Sequence, residues 1–76
     1  MPHVVIHYFQ AELSAAALAR VQQSLVQLLQ QELSCPAGAV SIDLQPVAPA
    51  QWQPQVYQPL IVPRMAALLR RPDYRY

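Results

Sequence analysis

Residues 14–38 read SAAALARVQQSLVQLLQQELSCPAG, and this stretch decides the fold. Leu18, Val21, Leu25, Leu28, Leu29 and Leu33 recur at steps of three and four, which aligns them as one stripe along a helix. Gln22, Gln23, Gln27, Gln30 and Gln31 occupy much of the remaining surface. Ser14 is placed to cap the N-terminus, because its hydroxyl can accept from a free amide of the first turn. The helix should stop near Ser34, since Pro36 disfavours a helical residue before it and Gly38 permits a turn. Such a stripe resembles a coiled-coil seam when read alone. Its flanks argue instead for packing on a sheet.

Upstream, residues 3–9 read HVVIHYF, rich in β-branched and aromatic side chains, and predict a strand that is apolar on both faces. A strand of this kind is buried or pairs across an interface. Downstream, VSIDLQ at residues 40–45 alternates, with Val40, Ile42 and Leu44 on one face and Ser41, Asp43 and Gln45 on the other. Strand, long helix, strand is the βαβ unit, whose crossover is right-handed in nearly all cases. The fold class is therefore α/β (α+β), with residues 1–76 as a single domain.

After residue 45 the texture changes. QPVAPAQWQPQVYQPLIVP carries prolines at 46, 49, 54, 59 and 63, so no long regular element is expected there. Trp52, Val56, Tyr57, Leu60, Ile61 and Val62 are too apolar to be left in water, which predicts an ordered loop with short turns. RMAALLRR from Arg64 reads as a short C-terminal helix ended by Pro72, with PDYRY as a tail.

Two parallel strands do not make a stable sheet alone. A chain this short buries only about 60% of its unfolded surface and usually needs a disulfide, a metal or a partner. The single Cys35 forms no internal disulfide, and with His3 and His7 it is too little for a structural zinc site. Apolar residues nonetheless make up 54% of the chain, so the sheet should be completed by oligomerisation.

The net charge of +1 is no footprint for nucleic acid, and the apolar runs fall short of the ~20 residues a membrane span requires. The start lacks a basic region followed by a long apolar stretch, and the cytoplasm is the expected compartment. Arg64, Arg70, Arg71 and Arg75 cluster near the C-terminus, as a solvated helix end or as partners for a small anion. One glycine cannot build a phosphate-cradling loop, and the four acids show no paired spacing. Cys35 with a histidine is a poor nucleophile pair, since it falls at a helix end beside proline. His3 and His7 share a strand face with no third metal ligand, and read as hydrogen-bonded interface residues.

Pro2 remains. Loss of Met1 would expose a secondary amine on a rigid ring at the start of a strand. An apolar surrounding or a nearby cation disfavours its charged form. A neutral amine near pH 7 can take a proton from one atom of a substrate and return it to another, which is general acid–base catalysis.

Pro2 opening an apolar strand, the long amphipathic helix and the alternating strand at 40–45 resemble the 4-oxalocrotonate tautomerase superfamily. QWQPQVYQPLIVPRMAALLRRPDY resembles the end of its short bacterial subgroup, which includes phenylpyruvate-tautomerase-like proteins. Trp52, Val56, Tyr57, Pro59, Arg70, Arg71, Pro72 and Tyr74 stand in the matching places, and Pro2–His3 fits as well. The resemblance implies βαβ protomers that pair into a four-stranded sheet, as dimers or trimers of dimers. It implies a cofactor-free keto–enol tautomerase with Pro2 as the proton shuttle and Trp52 as an aromatic wall. Founding members place arginines where this chain has Ala11 or Glu12 and Ser41. A dicarboxylate substrate is therefore not expected. An aromatic or monocarboxylate enol is, with Arg64 as the expected anion partner. Two alternatives remain open: hydration-type chemistry on a cationic Pro2, and a catalytically silent binding or structural subunit of the same fold.

Overall fold

The computed structural model describes residues 1–76. The chain runs as strand β1 (His3–Phe9), helix α1 (Ala15–Leu33), a 3-10 turn (Ala37–Ala39) and strand β2 (Ser41–Val47). A 3-10 turn (Pro49–Gln51), helix α2 (Gln53–Ile61) and a last 3-10 turn (Val62–Arg64) follow. β1 and β2 are parallel neighbours in a two-stranded sheet, in register from His3 opposite Ser41 to Phe9 opposite Val47. This is the expected βαβ unit, with a short helix in the C-terminal part.

Local chemistry explains the boundaries. The Ser14 hydroxyl accepts from the Ala17 amide at 3.0 Å, so α1 begins with a side-chain cap. It ends at Ser34, which adopts the left-handed conformation (φ 52°, ψ 44°) that glycine usually supplies. β2 runs two residues past the expected 45, through a proline. The Ser41 amide donates to the Pro2 carbonyl and the Gln10 amide donates to the Val47 carbonyl. By alternation, Ser41, Asp43, Gln45 and Val47 turn their backbone groups towards β1, while Ile42, Leu44 and Pro46 turn theirs outward. Pro46 thus lacks an N–H only on the outer edge, where no ladder bond is lost.

The C-terminal helix lies further upstream than the sequence suggests. α2 occupies Gln53–Ile61 and is a wide π-helix, in which the Val62 amide donates to the Tyr57 carbonyl five residues back. Pro59 accounts for the width: in an α-helix its ring would meet the carbonyl four residues earlier, and it has no N–H to offer. RMAALLRR forms only one turn. Ala67 and Leu68 amides both donate to the Arg64 carbonyl, at 2.8 and 3.0 Å, and Leu69 is fully exposed.

Burial is concentrated in an unexpected place. Val47, Val56 and Tyr57 are the buried residues, at 4–6% exposure, and two of them belong to α2. α1 buries none, although Ala17, Val21, Leu25 and Leu29 are half-covered. Leu18 and Leu28, on the same stripe, stay exposed. The reason is width. A 19-residue helix is about 28 Å long and 10 Å across, and two strands spaced ~4.8 Å apart cannot roof it. No helix is long and apolar enough to cross a membrane.

Candidate active site

Pro2 sits just before β1, half-buried, with its carbonyl held by the Ser41 amide at 3.2 Å. His3 and Ser41, opposite each other in register, share a hydrogen bond of 2.6 Å between Nδ1 and Oγ. Ser41 thus holds the backbone and the side chain on either side of the Pro2–His3 peptide. Met1 is fully exposed and contributes no packing, so its removal costs the fold nothing visible.

Trp52 lies at the other end of the strand. Its ring meets Phe9 edge-on, with centroids 5.2 Å apart and planes at 81°. Its Nε1–H donates to the Tyr74 hydroxyl at 2.8 Å. Phe9, Trp52, Tyr74, Arg75 and Tyr76 line an open cleft of about 550 Å³. Tyr57 underpins it, since its buried ring packs on Tyr74 at 5.7 Å and on Tyr76 at 4.9 Å between centroids. Residues 74–76, read from sequence as a plain tail, therefore form half of an aromatic site. The three aromatic or basic residues in PDYRY were the available signal.

Pro2 and Trp52 do not meet within one protomer. The seven residue steps of β1 from Pro2 to Phe9 span about 23 Å at ~3.3 Å each. Arg64 is exposed and lines neither this cleft nor the one formed by Ile61, Leu68, Arg70, Arg71 and Pro72. Arg71 is committed locally, its Nε–H donating to the Met65 carbonyl at 3.0 Å. A larger cleft of about 570 Å³ opens between α1 and β2, against Leu18, Val21, Val26, Ile42 and Leu44. It holds no ionisable side chain and offers no acid–base chemistry. The Cys35 thiol donates to the Leu29 carbonyl at the end of α1.

No family profile matches the chain. A tautomerase PptA from Cronobacter sakazakii is 32% identical over 74 residues, covering 97% of each chain. The chain belongs to this tautomerase family, in the short bacterial subgroup of the 4-oxalocrotonate tautomerase superfamily. A tautomerase PptA from Escherichia coli is 31% identical over 74 residues, again covering 97% of each chain. One from Pectobacterium atrosepticum is 28% identical over all 76 residues of both. The family is one of isomerases, and a tautomerase-type function follows for this member.

Proposed function

We propose that the chain is a cofactor-free keto–enol tautomerase in which Pro2, freed by loss of Met1, is both base and acid. The full-length likeness to tautomerases, with proline at the second position of an otherwise ordinary strand, carries this reading. In the neutral form the Pro2 nitrogen takes the enol hydroxyl proton, leaving an enolate. The protonated amine then gives a proton to the adjacent carbon, where the C=C electrons form the new C–H bond as the oxygen pair closes the carbonyl. The proton count is unchanged, so no cofactor is needed. While Met1 remains, the Pro2 nitrogen is an amide and has no basicity to use.

The site is completed by a second copy. β2 presents an outer edge interrupted by Pro46, which discourages further pairing. β1 presents an unbroken edge, with the backbone groups of His3, Val5, His7 and Phe9 turned outward by the same alternation that turns Pro2 and Gln10 towards β2. Antiparallel pairing of two β1 edges centred on Ile6 sets His3 against Phe9, and Pro2 against Gln10. Each Pro2 then lies beside the other copy's Phe9–Trp52 cleft. The four-stranded sheet is also wide enough to cover the α1 stripe that one protomer leaves open. The substrate class that fits is an aromatic or monocarboxylate enol, packed on Trp52.

A silent subunit of the same fold is the rival reading, favoured by the absence of arginine at residues 11, 12 and 41. Intact mass spectrometry and a rate assay separate the two. The processed protein should speed ketonisation of enol phenylpyruvate, followed by loss of enol absorbance, while protein that retains Met1 should not. Equal rates from both forms defeat the enzymatic reading.

A further inference from the structure

The cleft at the C-terminal end of β1 has aromatic walls, one cation and no acidic side chain. We infer that it binds an aromatic carboxylate, with the Arg75 guanidinium on the carboxylate and the Tyr74 hydroxyl as a second donor. Calling that ligand the substrate rests on the tautomerase reading above; its binding does not.

Donor and acceptor bookkeeping supports the assignment. An indole N–H only donates, so in the Trp52–Tyr74 bond the tyrosine oxygen is the acceptor. The hydroxyl proton of Tyr74 is therefore not used in that bond and can be given to a ligand. Arg75 carries five N–H donors in a fork that matches a carboxylate, and its side chain takes part in none of the hydrogen bonds that tie Arg71 and the other polar side chains to the protein. The walls are already in place. Tyr57 is buried and holds the rings of Tyr74 and Tyr76, which themselves meet edge-on at 6.1 Å. The volume, about 550 Å³, is in the range of small-molecule sites.

The same features exclude other ligands. A cationic aromatic would be repelled by Arg75. A phosphate dianion would need more than one guanidinium and one hydroxyl. An uncharged aromatic would leave Arg75 without a role. Among the tail arginines, Arg75 is the one that reaches Trp52, which makes it a better anion partner than Arg64.

Trp52 is the chain's single tryptophan, so its fluorescence reports on this cleft and nothing else. Titration with 3-phenylpropionate should quench it saturably, and 3-phenylpropanamide should bind at least about tenfold more weakly. Arg75→Gln should weaken the acid by a similar factor, leave the amide unchanged and so erase the difference. Tyr74→Phe should weaken the acid several-fold. Equal binding of acid and amide, or an acid affinity untouched by Arg75→Gln, overturns the inference. Phenylpyruvate kinetics keep the two ideas apart. Arg75-dependent binding without any rate gain would refute the tautomerase reading alone, and a rate gain accompanied by equal binding of acid and amide would refute the carboxylate site alone.

Discussion

The two halves of this chain differ in an instructive way. Residues 3–47 hold both strands and the long helix, yet α1 buries nothing and Val47, at the far end of β2, is the one buried residue there. Residues 48–76 carry five of the eight prolines and the wide helix, and supply Val56, Tyr57 and the tyrosines that meet the Tyr57 ring at an angle. Regularity and burial are thus separated. The first half exposes a strand edge and an uncovered helix stripe, whereas the second holds two of the three buried residues. On the pairing proposed above, the open edge and stripe are what a second copy would cover.

Five substitutions test that division. Pro2→Ala should lower the rate of enol ketonisation by about 10²–10⁴, the range for loss of a positioned acid–base group, while circular dichroism stays unchanged. Tyr57→Ala, in the packed half, should destabilise by about 3–5 kcal/mol in urea unfolding, as for other buried aromatics. Equivalent truncation of Leu28 on the open stripe should cost much less at protein concentrations where the copies are apart. If the two costs are equal, the division is wrong. Val5→Pro removes an N–H from the free edge of β1 and none from the ladder to β2. It should shift the protein to monomers in sedimentation velocity without loss of secondary structure. Ser14→Ala, which removes the cap of α1, should cost about 1 kcal/mol in either state of assembly.

The same division marks what could be read from sequence. β1, the Ser14 cap and the end of α1 near Ser34 are governed by local periodicity and capping, and the structure has them where the residues place them. β2 is longer than its alternation suggests. Whether Pro46 breaks a strand depends on which edge it faces, and that is a property of the pairing rather than of the residue. In the C-terminal half, Pro54, Pro59 and Pro63 read as interruptions. Pro59 is instead accommodated by widening the helix, with Pro54 in its first turn and Pro63 past its end, a solution that propensity does not register. Trp52 was legible as a pocket residue by resemblance. Phe9 and Tyr76 were not, Tyr74 stood only as a match to the family pattern and Arg75 only as one of four tail arginines, because these residues converge only once the end of β1 and the C-terminal tail are brought together.

The parallel ladder also sets a timetable. His3 pairs with Ser41, 38 residues later in the chain, so β1 has no strand to join until β2 has been synthesised. At ~5–20 residues per second that interval is about 2–8 s. Throughout it the apolar side chains of β1 and the stripe of α1 have no sheet to pack on, which is how slow parallel pairing leaves a nascent chain open to aggregation. Folding then draws the Pro2 carbonyl onto the Ser41 amide but leaves Met1 fully exposed, so the finished fold does not shield the Met1–Pro2 bond.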